Sequence, residues 1–180
     1  MPPALDPLVE SLAKAQREFL SAADAVGAAD WKTPPSQGRW SAAELVAHLI
    51  SVEKTVLEKA DRISQKAPIR VPLFKRFHLP LALVESRLIR RKSPIPVDPA
   101  TLRAKEDMLA ELREARERSL AFLEETRDRE LGGYFWRHPA LGMLNTYEWI
   151  QFLAAHENRH TKQMREIAAR LRKPIAELQK

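Results

Sequence analysis

The chain has 180 residues, of which 44% are hydrophobic and 30% charged, and it carries a formal net charge of +6 with no cysteine. That length suits one domain, 1–180, with room for a full core. The absence of cysteine excludes a disulfide framework and thiolate metal sites, so any metal must use histidine and carboxylate ligands. No run of about 18 apolar residues is present to cross a bilayer. The first residues, Met-Pro-Pro-Ala-Leu-Asp, lack the basic and apolar regions of a signal peptide, and the cytoplasm is the expected location.

The first helical pattern runs from about Leu5 to Val26, with Leu5, Leu8, Leu12, Ala15, Phe19 and Ala22 or Ala23 as its apolar stripe. Gly27 closes it, and a turn-rich connection through Trp31 and Thr33–Gly38 follows. Ser41-Ala-Ala-Glu44 then reads as a capping box, with Trp40 placed to staple against Leu45. Leu45, Leu49, Val52, Val56, Ala60 and Ile63 mark the inward face of this second helix, and His48 belongs to it.

Residues Gln65 to Pro99 form a long crossover broken by prolines, with a short helix expected over roughly Leu81 to Arg91. The segment is basic, carrying Arg70, Lys75, Arg76, Arg87, Arg90, Arg91 and Lys92, and it also holds Phe74, Phe77, Leu79 and Leu83. It is expected to cover one end of the core, since it has neither an aromatic stacking platform nor a groove-reading motif for nucleic acid. The third long helix is expected over Ala100 to Arg127, with Pro99 near its start. Gly132-Gly133 ends it, and Tyr134–Pro139 reads as an aromatic loop in which His138 is expected to be exposed and not a ligand.

The last helix, Asn145 to Leu171, opens on a second capping box, Asn145-Thr-Tyr-Glu148. Its buried stripe is Trp149, Phe152, Leu153, Met164, Ile167 and Leu171, and His156 and His160 lie within it. Histidines at i and i+4 share a helix face about 5–6 Å apart at Cβ, so both imidazoles can reach one ion. Spacing alone leaves two readings open, a shared metal and two core histidines bonded to neighbours. Four amphipathic helices without strand-like alternation describe an all-α, four-helix bundle with a site between facing helices.

Two patterns fail on closer reading. His156-Glu-Asn-Arg-His160 matches the H-E-x-x-H of zinc proteases, yet no third ligand or sheet edge follows it. A di-iron carboxylate site needs paired Glu-x-x-His units, and only Glu157–His160 fits that spacing.

Taken together, Trp40–Leu49 with His48, His138-Pro-Ala-Leu-Gly142, Trp149, and His156-Glu-Asn-Arg-His160-Thr-Lys-Gln163 resemble the DinB-like superfamily over nearly the whole chain. The resemblance implies an up-down-down-up bundle, frequent homodimers, and a divalent metal held by three histidines that match His48, His156 and His160. It also implies a metal-dependent hydrolase or a thiol transferase acting on a small molecule. Three imidazoles leave coordination positions open for water or substrate, and they suit zinc, nickel or iron. Glu157 is the candidate to steer or deprotonate a water, against the alternative of a surface glutamate about 100° round the helix from His156. Glu157 or Gln163 is expected near the rim of a pocket lined by the second and fourth helices. A non-catalytic or metal-free bundle whose basic crossover binds a partner is the other functional class.

Overall fold

The computed structural model describes residues 5–68, 71–72, 80–81, 84 and 97–172. Four long helices dominate: α1 Asp6–Asp24, α2 Ala42–Ser64, α3 Lys105–Glu125 and α4 Thr146–Leu171. A two-stranded antiparallel hairpin, β1 Phe135–His138 and β2 Gly142–Asn145, leads directly into α4.

Each apolar stripe decides which way its helix runs. Leu12 and Ala15 of α1 pack with Trp149, Ile150 and Leu153 at the start of α4. Phe19, Ala22 and Val26 pack with Met164 and Ile167 further along it, so α1 and α4 are parallel. Leu45 and Leu49 join the end of α1, while Val52 and Val56 join its middle, so α2 is antiparallel to both. Met108, Leu109 and Leu112 at the start of α3 meet the start of α2, and Arg129 just past α3 donates to the Ser64 carbonyl at the end of α2. This is the expected up-down-down-up bundle. Because α2 and α3 are parallel, and α2 with its 23 residues is about 35 Å long, the chain between them must travel back the length of the bundle. The long crossover is a consequence of topology.

Three described apolar residues of the crossover pack on the bundle. Val71 is buried, and Leu81 and Val84 pack on the cluster that contains Leu12 and Trp149. The short helix expected over Leu81–Arg91 falls almost wholly outside the described residues, as do Phe74, Phe77, Leu79, Leu83 and the Arg87, Arg90 and Arg91 cluster.

Two expectations need correction. The third long helix begins at Lys105, not Ala100, because Pro99–Thr101 forms a 3-10 turn of its own. The Asp98 side chain accepts from Ala100 N at 2.9 Å, which closes that turn locally and leaves Leu102 extended. The aromatic loop after Gly133 contains a hairpin, and its four-residue strands are too short to display alternation in the sequence. Gly142, at φ +104°, supplies the backbone conformation that returns the chain opposite His138.

Candidate metal centre

Both histidine-bearing helices start from reciprocal caps. Ser41 Oγ accepts from Glu44 N at 3.2 Å while Glu44 Oε2 accepts from Ser41 N at 2.8 Å. Asn145 Oδ1 accepts from Glu148 N at 3.0 Å while Glu148 Oε2 accepts from Asn145 N at 2.7 Å. Fixing the first turn fixes the phase of everything after it. His48 falls on the face of α2 that meets α4, and His156 and His160 fall on the facing stripe of α4.

The structure brings these three rings together. Nε2 of His156 lies 3.3 Å from Nε2 of His48 and 3.1 Å from Nε2 of His160. One ligand nitrogen from each of the three falls within 4.8 Å of the others. Two nitrogens bound to one tetrahedral ion at about 2.0–2.1 Å are separated by about 3.3–3.4 Å, so the observed spacing suits a shared cation. His48 and His160 are buried and His156 is half-buried. Trp40 packs 5.0 Å from the His48 ring, and Phe152 stacks 5.1 Å from that of His156.

Protonation points the same way. Burial lowers His48 to about 4, and burial with the neighbouring His160 and His48 rings holds His156 well below its ordinary value. The neutral His48 and His156 imidazoles then face one another, and His156 Nε2 has a single proton at most to share between two nitrogens. His160 Nδ1 lies 3.1 Å from Gln163 Oε1, and a ring proton on Nδ1 would satisfy that oxygen and leave the Nε2 lone pair for the cluster. Nδ1 of His48 is buried without a partner. A divalent cation is the group that satisfies converging nitrogen lone pairs, and the residues present fit one.

Glu157 lies elsewhere than the pocket rim. It is 1% exposed, which removes the surface alternative, and its Oε2 accepts from Arg116 Nη2 at 3.0 Å. Arg116 also donates to both oxygens of Glu53, at 2.7 and 3.0 Å, and to the Leu12 carbonyl at 2.8 Å. Ser119 Oγ donates to Glu53 at 2.9 Å. This buried network ties all four helices together beside the histidines. Burial works against the charged guanidinium, but Glu53 and Glu157 more than offset it and hold Arg116 above its ordinary pKa. Burial, opposed by Arg116, pushes Glu157 up to about 7. Glu53 and Arg116 were not singled out from the sequence. Their signal is faint: each immediately follows a stripe residue, Val52 or Ala115, which puts it at the edge of the buried face.

His138, expected to be exposed, is half-buried. Its ring packs 5.0 Å from Trp149 and 4.7 Å from Phe152, because the hairpin folds it over the start of α4. Among the described residues the group of three converging ligand atoms does not include it. A cavity of about 390 Å³ runs beside His48 along α2 and the approach to α3, lined by Ser51, Lys54, Thr55, Val97 and Met108 among others. Among the described residues no helix is long and apolar enough to cross a membrane.

Comparison with known proteins adds three findings. Residues 11–164 match the sequence model of the DinB superfamily. The uncharacterized protein YuaE of Bacillus subtilis is 29% identical over 138 residues, which cover 76% of this chain and 82% of that protein. The solved structure of YfiT from Bacillus subtilis superposes with a TM-score of 0.63 at 17% identity, covering 92% of this chain and 86% of the other. YfiT is described as a probable metal-dependent hydrolase with an unusual four-helix bundle topology.

Proposed function

Starting from the chain's membership of the DinB superfamily, we propose that it is a metal-dependent enzyme acting on a small molecule, with His48, His156 and His160 as the ligands of one divalent cation. The observation that carries this reading is the convergence of three imidazoles from two helices, with His156 Nε2 3.3 Å and 3.1 Å from the Nε2 atoms of His48 and His160. The description of YfiT as a probable metal-dependent hydrolase agrees with it. Imidazole donors suit zinc, nickel or iron.

When bound, such a cation supplies Lewis acidity that makes a water or a thiol nucleophilic near neutral pH. Hydrolysis and thiol transfer both follow from that chemistry. The protein's own residues prepare the site. Gln163 orients His160, Phe152 and Trp40 fix the planes of His156 and His48, and the Arg116 network anchors α4 behind them. Glu157, engaged by Arg116, serves this anchoring in place of the water-activating part expected of it. Homodimeric assembly belongs to the same reading, on the strength of the family resemblance, and light scattering tests it.

The test is turnover of an activated ester, an activated amide and a thiol-transfer pair by chelated protein with and without added zinc or nickel. Activity is expected to require the metal and to fall to background in His160→Ala while the helical circular dichroism persists. Turnover that survives both chelation and His160→Ala would overturn the reading.

A further inference from the structure

The hairpin supplies a histidine that the three-ligand cluster does not use. His138 ends β1, opposite Gly142, and its Nδ1 accepts hydrogen bonds from both Ala140 N and Leu141 N at 3.0 Å. A nitrogen that accepts from two backbone amides must present its lone pair, so the ring proton resides on Nε2. Trp149 and Phe152 hold the ring from α4. The imidazole is therefore fixed in position and in tautomer. Among the described residues Nε2–H meets no acceptor, and the residue is only half-buried. A histidine kept solely for packing has no need of a rigid, open donor; a rigid, open donor is what a binding site needs.

Its place relative to the cluster gives the donor a use. Trp149, Phe152, His156 and His160 lie on one stripe of α4, at steps of three and four residues. The His138 ring is 4.7 Å from that of Phe152, which is 5.1 Å from that of His156, so His138 and His156 are at most about 10 Å apart. The ion would lie about 3 Å from the His156 ring centre and Nε2 about 1 Å from that of His138, so after a coordination bond of about 2 Å and a hydrogen bond of about 3 Å a ligand has roughly 9 Å or less to span. That is within the reach of a small molecule whose acceptor oxygen stands several bonds from its metal-binding atom.

We propose that His138 is a substrate-contact residue, its Nε2–H donating a hydrogen bond to an oxygen of a small molecule held at the three-histidine site. The class of ligand this selects is a compact carboxylate or carbonyl compound that also carries a metal-binding group. The proposal rests on the metal-dependent reading above, and its test separates the two.

Cobalt-loaded protein is titrated with 3-mercaptopropionate and with 1-propanethiol, following the visible sulfur-to-cobalt absorption. A donor reaching the carboxylate makes the acid bind roughly ten-fold or more tightly than the plain thiol. In His138→Asn the side-chain oxygen replaces Nδ1 toward the turn amides but the outer donor is gone, and the preference is expected to vanish. In His138→Gln the amide nitrogen stands near the place of Nε2, and part of the preference is expected to remain. A purely structural histidine predicts the opposite ranking, since Asn preserves the turn better. Nitrogen-15 NMR of the metal-free protein should show His138 as the neutral Nε2–H tautomer from pH 8 down to about 5. An Nδ1–H tautomer, or an unchanged preference in His138→Asn with cobalt bound, overturns the proposal alone. Failure to bind cobalt removes the metal-dependent reading and this one with it.

Discussion

Arg116 is the side chain on which the most buried polar groups depend. It is 1% exposed and faces two carboxylates, Glu53 and Glu157, of which Glu157 keeps one oxygen buried without a partner. Removing the guanidinium strands both acids. Arg116→Met is expected to cost about 3–5 kcal/mol in urea unfolding, and the triple change Glu53→Leu, Arg116→Met, Glu157→Leu to recover most of it. A single-mutant loss below about 1 kcal/mol would mean the network contributes little. His138 makes a second prediction at this scale. Burial lowers it from an ordinary 6.5 to about 4, so between those values the folded chain binds fewer protons than the unfolded one. Its contribution to stability is complete above about 6.5 and is lost as the pH falls toward 4. In the metal-free protein, His138→Asn should therefore lose less stability than wild type when urea midpoints at pH 7 and pH 5 are compared. Equal losses would show that His138 does not carry this dependence.

The helices answer to their caps. Ser41 and Glu44, like Asn145 and Glu148, satisfy each other's backbone amides at the starts of the two histidine-bearing helices. Ser41→Ala should lower stability by about 1 kcal/mol, within a range of roughly 0.5–2, measured by urea unfolding. A change within error would contradict the cap's part in starting α2. These caps were readable in the sequence because a capping box is local: residue types at fixed offsets are enough. The start of α3 was not, since Asp98 and Thr101 close a separate turn there, and Pro99 fits the first position of either kind of helix. The hairpin was also hidden. Its strands are four residues long, and their register is set by Gly142 and by pairing, not by a pattern either strand carries alone.

For the whole molecule, the parallel course of α2 and α3 explains the crossover, and the antiparallel course of α2 and α4 explains how a histidine early in one meets two in the middle of the other. The histidines were legible because each interrupts an apolar stripe, where an unsatisfied imidazole is costly. The Arg116 network was not, because with 30 basic and 24 acidic residues in the chain nothing in the sequence says which of them pair inside. In the proposed function His48, His156 and His160 act together on one ion. This is tested most directly by elemental analysis of untagged protein purified without chelator, beside His48→Ala, His156→Ala and His160→Ala. A single divalent ion per wild-type chain is expected, with the loss of most of it in each variant and helical content retained. Equal metal content in wild type and all three variants would contradict it.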